Sequence, residues 1–188
     1  MYKALCRRVG GSKNSVFISN FKNTKEQQPA NRKLKRNGSD GMPFNDRELL
    51  ARIIQCEAGG EGTDGMRAVA TVVMNRVHVS EGEYLRTGGG NLQNVIYQPY
   101  QFDCARTQIN NQYNPQNIYN MVPEPIHYEI ADWALSGGVL GAVGNSLWYF
   151  NPFTSTCEDY FPRNGSGRFH TRINNHCFYR PTEKYSST

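Results

Sequence analysis

The chain has no apolar run of the length a bilayer demands, so no membrane-spanning helix is expected. Its first residues, 1–11, carry positive charge without the long apolar stretch of a secretory leader, and none is expected. Cysteine is sparse and badly spaced for metal: Cys6, Cys56, Cys104, Cys157 and Cys177 include no CxxC pair, which disfavours a zinc knuckle. No metal and no cofactor are expected. The odd cysteine count leaves a disulfide framework open without demanding one, and a reducing compartment is the more economical expectation. Lysine is missing from residues 41–183, where arginine serves alone. Every lysine except Lys184 lies in the first 40 residues, which hold ten Lys and Arg against Glu26 and Asp40. The remainder reverses that balance, with eleven basic residues against fourteen acidic. A segment so divided suits an anionic wall polymer, nucleic acid or an acidic protein, or serves only to solubilise the chain. Nothing beyond it is suited to reading a groove, so nucleic acid is not an expected partner.

What is present fits one loop-rich domain with an appendage, in a chain of 188 residues. Residues 1–43 read as a flexible basic arm, closed by the Asn37-Gly38-Ser39-Asp40-Gly41 break, with Val16-Phe17-Ile18 suited to docking. A domain follows over 44–182, then a short tail over 183–188. Asn45, with Glu48 three residues on, opens a first helix at roughly 46–57. Thr63 or Asp64 caps a second at about 65–78, whose Val69, Val72, Val73 and Val77 line one face and make it central to the core. Residues 80–90 are turn-rich, 92–102 form a short helical turn leading into an extended stretch, and 104–122 a long loop or irregular helix. A third helix starts near Pro123 and stops at Gly137-Gly138. Residues 146–150 read as a strand, and 168–179, split by Asn174-Asn175, as a closing hairpin.

One ionisable group interrupts the apolar pattern of the first helix. Leu49, Leu50, Ile53 and Ile54 form its buried stripe, and the next turn of that stripe falls on Glu57. A carboxylate on the core side of a helix end, followed at once by Ala58-Gly59-Gly60, is costly unless it is used. Burial raises its pKa toward the range a general acid needs. The other reading is a terminal Glu that turns out to solvent at the Gly break. Cys56 lies about 100° round the helix from it and reads as packing rather than as a nucleophile.

Several blocks carry a family resemblance. Residues 50–62, LARIIQCEAGGEG, are similar to the "LARxVxxEARGE" signature of the SleB/CwlJ family of bacterial cell-wall hydrolases, best known for degrading spore cortex peptidoglycan. Residues 65–77 resemble its "GxxAVxxVxLNRV", residues 95–102 its "VIYQPxxF", and residues 147–152 and 176–179 its "xxYFxNP" and "HxFY". The blocks fall in the family's order over roughly 46–180, nearly the whole domain. The resemblance implies an α+β fold, lysozyme-like and lytic-transglycosylase-like, mainly helical with a small β-hairpin region. It also implies that Glu57 is the catalytic acid. Protonated, Glu57 would give its proton to the glycosidic oxygen between N-acetylmuramic acid and N-acetylglucosamine; ionised, it would take one from the muramic C6 hydroxyl, leaving a 1,6-anhydro end.

A hydrolytic mechanism needs a second carboxylate, about 5–5.5 Å away for retention or about 6.5–9.5 Å for inversion. Glu61, Asp64 and Asp103 are the candidates, although Glu61 equally suits a bond to a backbone N–H at the start of the next helix. Asp103, with Cys104 beside it, stands where the family pattern has a small hydroxyl residue. Thr71 and Asn75, one turn apart, either face a sugar cleft or satisfy their own surroundings. Tyr97, Gln98, Phe102, Trp148 and Tyr149 are candidates for the walls of a glycan groove, alternatively for plain core. His176 is expected to make a buried structural hydrogen bond. The resemblance favours the CwlJ-like branch: synthesis in the mother cell without a leader, deposition at the spore coat or cortex surface, and action in germination, the basic arm holding a coat protein or anionic cortex. A muramidase, glucosaminidase or amidase on the same polymer is the alternative activity, and a non-catalytic coat or wall-binding protein the alternative class.

Overall fold

The computed structural model describes residues 43–188; the basic arm, with Cys6 and the 16–18 stretch, lies outside them. Helix α1, Asp46–Ala58, starts where the Asn45 side chain accepts the Glu48 N–H at 2.9 Å, with Asp46 and Glu48 placed to complement the positive end of the helix. Its stripe of Leu49, Leu50, Ile53 and Ile54 is fully buried. Helix α2, Gly62–His78, begins three residues before the expected position. Gly62 takes a left-handed backbone, φ +67°, that turns the chain directly into it, and neither Thr63 nor Asp64 is its cap. As its Ala/Val-rich sequence implies, α2 is central: Ala68, Val69, Ala70, Val72 and Val73 have no exposed surface. Short helices α3, Gly82–Gly88, and α4, Leu92–Tyr97, follow; α3 replaces the irregular turns expected over 80–90. Helix α5, Pro125–Leu135, opens with proline at its first position and a reciprocal cap between Glu124 and His127. Helices α1, α2, α4 and α5 share one apolar core.

The long segment after α4 is ordered by what its backbone meets. It contains a 3-10 turn, Asp103–Ala105, and a two-stranded ribbon of β1, Gln108–Ile109, with β2, Gln112–Tyr113. Arg52 of α1 donates to the carbonyls of Ile118 and Met121 at 2.7 and 2.5 Å while stacking on Phe44. One guanidinium therefore ties residues 118–121 to the first helix, and Ile118 is fully buried.

Strands β3, Trp148–Phe150, β4, Gly167–Ile173, and β5, His176–Pro181, form an antiparallel sheet in the order β3-β5-β4. The expected hairpin is β4-β5, turning at Asn174-Asn175. A second apolar cluster lies on this sheet, built from Tyr84, Leu147, Trp148, Cys177, Tyr179 and Tyr185. It contains a Cys157–Cys177 disulfide, which corrects the expectation of an all-reduced chain: twenty residues of loop and strand separate two thiols that the fold brings together. The expected C-terminal tail is also part of this cluster. Residues Glu183–Ser186 form helix α6, whose Tyr185 ring is buried against Tyr84 and, edge-on, Trp148. A buried aromatic removed from such a site costs about 3–5 kcal/mol. Tyr185→Ala is accordingly expected to lower the free energy of unfolding in urea by an amount in that range; a loss under about 1 kcal/mol would show that α6 is a dispensable tail.

Candidate active site

Glu57 occupies the last turn of α1, where the unpaired carbonyls at the negative end of the helix oppose another negative charge and no basic residue offsets them. It does not turn out to solvent. Cys104 Sγ donates to its Oε1 at 3.0 Å, and the Tyr149 hydroxyl donates to its Oε2 at 3.1 Å. The two donors arrive from separate elements, Cys104 from the 3-10 turn and Tyr149 from β3. Burial, the largest influence, pushes the Glu57 pKa above the ordinary carboxylate range. The bonds from Cys104 and Tyr149 favour the anion and offset part of this; the Asp103 charge adds to the rise and the Arg76 charge opposes it. Both donors are themselves neutral, since burial drives the Cys104 thiol and the Tyr149 phenol well above their usual values. A carboxyl so placed holds a proton that an exposed glutamate has lost, and it is still close enough to its donors to survive as the anion.

Arg76 supplies the buried positive charge. Its Nε donates to the Leu147 carbonyl at 2.7 Å, and its guanidinium lies over the rings of Tyr84 and Phe102 at 4.7 and 5.2 Å. Beside it a cavity of about 110 Å³ is bounded by Arg76, Tyr84, Tyr100, Trp148 and Tyr149 among others. Tyr149 therefore connects the two features: its side chain helps to wall the cavity and its hydroxyl reaches Glu57.

The fold separates the residues singled out in the sequence. Trp148 and Tyr149 line the cavity, and Phe102 lies beneath Arg76. Thr71 does not face a cleft: it is fully buried, and its hydroxyl accepts the Leu140 N–H at 3.0 Å. Asn75 spends both amide hydrogens on the carbonyls of Gly144 and Ser146, at 2.8 and 2.9 Å. Tyr97 packs on the main core, and Gln98 bonds Thr87 and Glu83 of α3. Among the second carboxylates, Asp64 is exposed on the first turn of α2. Glu61 accepts the Asn175 backbone N–H at 3.1 Å and the Asn175 side-chain amide at 2.9 Å, so it holds the β4-β5 turn rather than the start of the next helix. Asp103, 3.5 Å from Arg106, is the one whose charge acts on Glu57.

His176 does not make the buried hydrogen bond expected of it. Its Nδ1 is buried without a hydrogen bond, 3.8 Å from Glu61, and the ring meets Tyr149 edge-on at 5.4 Å. Burial pulls its pKa down against the pull of Glu61, so the ring backs Tyr149 as a neutral wall. Cys104 and Arg76 are the residues sequence reasoning missed. Arg76 had a signal, as a charge within an apolar helix; Cys104 had only its place beside Asp103, the departure from the family pattern. The Cys56 sulfur lies within 4.8 Å of a Glu57 carboxyl oxygen, but its thiol donates to the Gln116 carbonyl.

Residues 60–179 match the model of a family described as cell wall hydrolase. The chain belongs to the cell wall hydrolase family. Cell wall hydrolase CwlJ of Bacillus subtilis is 30% identical over 139 residues, 73% of this chain and 86% of that protein. A spore cortex-lytic enzyme of Bacillus cereus is 31% identical over 122 residues, 65% of this chain and 40% of that protein. The catalytic domain of the germination-specific lytic transglycosylase SleB from Bacillus anthracis superposes with a TM-score of 0.53 at 25% identity, covering 76% of this chain and 100% of that one. The fold is thus the mainly helical α+β fold of that catalytic domain, and this cell wall hydrolase is an enzyme acting on peptidoglycan. The family match begins three residues after Glu57, so the case for that residue rests on its geometry.

A glutamate whose pKa is higher folded than unfolded keeps a proton that the unfolded chain has already released. Stability contributed by its neutral form is complete below the unfolded value and declines as pH rises toward the folded one. Glu57→Gln abolishes this dependence. The variant is expected to match wild type in thermal unfolding at acidic pH and to exceed it at pH 7; a variant less stable at pH 7 would show that the carboxylate is not disfavoured there.

Proposed function

We propose that the enzyme cleaves spore cortex glycan strands between N-acetylmuramic acid and N-acetylglucosamine during germination, as a lytic transglycosylase in which Glu57 is both acid and base. The observation that carries this reading is the single shielded carboxyl, held between two neutral donors beside an aromatic-walled cavity. In the first half-reaction the protonated Glu57 transfers its proton to the glycosidic oxygen as the bond to muramic C1 breaks. In the second, its carboxylate takes the C6 hydroxyl proton as that oxygen closes on C1. The proton returns to Glu57, and no water is consumed. Cys104 and Tyr149 suit this alternation, because each donates to the anion without carrying charge of its own. The helix end and Arg76 act on Glu57 in opposite senses: the former disfavours the anion, the latter favours it.

Hydrolysis is the second reading, and Asp103 is the observation that favours it, since its charge is felt at Glu57. Cortex peptidoglycan digested with the purified enzyme and resolved by mass spectrometry separates the two: 1,6-anhydromuramic ends are expected, and reducing muramic ends would assign a muramidase. Glu57→Gln is expected to lower the rate by about 10²–10⁴; unchanged lysis would show that another residue supplies the proton. Tyr149→Phe removes a bond that favours the anion, so the alkaline limb of the pH–rate profile is expected to move to higher pH. A shift to lower pH would contradict the role given to that hydroxyl.

The relatives named as CwlJ and as spore cortex-lytic enzymes support a place at the spore coat or cortex surface. The basic arm is proposed to hold the enzyme there, on a coat protein or on the anionic cortex. Deleting residues 1–43 is expected to disperse the enzyme from spores; an unchanged location would remove this role.

A further inference from the structure

Two cysteines 48 positions apart in the chain meet at the Glu57 carboxyl. The sulfurs of Cys56 and Cys104 and a carboxyl oxygen of Glu57 all lie within 4.8 Å of one another. The absence of a CxxC pair in the sequence therefore excludes nothing here, because the fold, not local spacing, assembles the set. Cys104 comes up from the 3-10 turn, buried, with its thiol on Glu57 Oε1 at 3.0 Å. Cys56 sits one residue before Glu57 on α1, partly exposed, with its thiol 3.2 Å from the Gln116 carbonyl. The buried member provides a shielded ligand and the exposed member an entry path.

We propose that Cys56, Cys104 and Glu57 form a binding site for a thiophilic divalent cation such as Zn²⁺, and that an ion bound there silences the enzyme. Two thiolates and one carboxylate are the donor set that soft and borderline ions select over Mg²⁺ or Ca²⁺. Three protein ligands leave one tetrahedral position for water or the Gln116 carbonyl. As the ion binds, two sulfur–metal bonds and one oxygen–metal bond form; Cys56, Cys104 and the protonated Glu57 each release one proton to solvent, with no change of oxidation state. Glu57 becomes a ligand through the oxygen that had accepted the Cys104 bond. A metal-bound carboxylate cannot carry the proton needed by the leaving oxygen, so binding and cleavage exclude each other. The site is inhibitory rather than a cofactor site, and so differs from the metal-free chemistry proposed above. Only the inhibition rests on the catalytic role of Glu57; the ion-binding itself does not.

The test is a titration of the full-length protein, its Cys157–Cys177 disulfide intact and Cys56 and Cys104 as free thiols, with Co²⁺, followed by displacement with Zn²⁺, reading sulfur-to-metal charge-transfer absorption and cortex cleavage on the same samples. One ion per chain is expected, with a thiolate band, and cleavage is expected to fall at least tenfold in step with occupancy and to return on chelation. The Cys56 thiol bonds the Gln116 carbonyl rather than Glu57 and does not line the cavity, so Cys56→Ala is expected to keep basal cleavage and to lose affinity by more than the roughly 10–100-fold that outer partners of metal ligands contribute. A Cys56→Ala Cys104→Ala double variant corrects for the other cysteines. No thiolate band in wild type, or the same band and affinity in the double variant, would overturn the site. Stoichiometric binding with cleavage intact would overturn Glu57 as the third ligand. Binding by a wild type that shows no cleavage even without metal would leave the site standing and count against the catalytic reading.

Discussion

The structure depends on a carboxyl group placed where ionisation is hard and protonation is useful. Glu57 stands at the negative end of α1, where the 3-10 turn and β3 each bring it one donor, and among the described residues no cation bonds it directly. Two neutral donors, a thiol and a phenol, complete its shell. Stronger donors, such as a paired arginine, would hold the anion and leave nothing to donate; no donors at all would strand the anion in the second half of the reaction. The middle course is what a single group serving as acid and then base requires.

Much of the remaining fold serves that placement. Helix α1 must end at the site, and the Asn45 cap and the buried leucine and isoleucine stripe set its register. Cys104 must reach Glu57 from a segment with little regular structure, and Arg52 fixes that segment by collecting the Ile118 and Met121 carbonyls. Tyr149 must point back from the sheet, which His176 and Phe178 secure by flanking its ring. The disulfide and Tyr185 hold the far side of the same sheet. Polar residues within α2 do similar work: Thr71 and Asn75 bind the backbone of the 140–146 loop that leads into β3.

What could be read from the sequence follows from how local the determining interactions are. The cap and stripe of α1, the valine face of α2 and the Asn174-Asn175 hairpin are all set by neighbours a turn or less away, and they appear where the pattern puts them. The position of Glu57 on the core side of α1 is legible for the same reason, from its spacing to Leu50 and Ile53. The expectations that failed depend on distant partners. Helix α3 shows no long periodicity and forms because Tyr84 is buried against Trp148 and Tyr185 from elsewhere in the chain. Thr71, Asn75 and Gln98 have the chemistry of sugar-binding side chains, but the 140–146 loop claims the hydrogen bonds of the first two and helix α3 those of Gln98. The meeting of Cys56 with Cys104, and of Cys157 with Cys177, is likewise a product of topology that no spacing rule encodes.

The most direct test of this account is the protonation state of Glu57 itself, read from the carboxyl stretching band in the infrared difference between wild type and Glu57→Gln across a pH series. The account predicts a protonated band that persists above the pH at which exposed glutamates ionise. A band that disappears within the ordinary carboxylate range would contradict it.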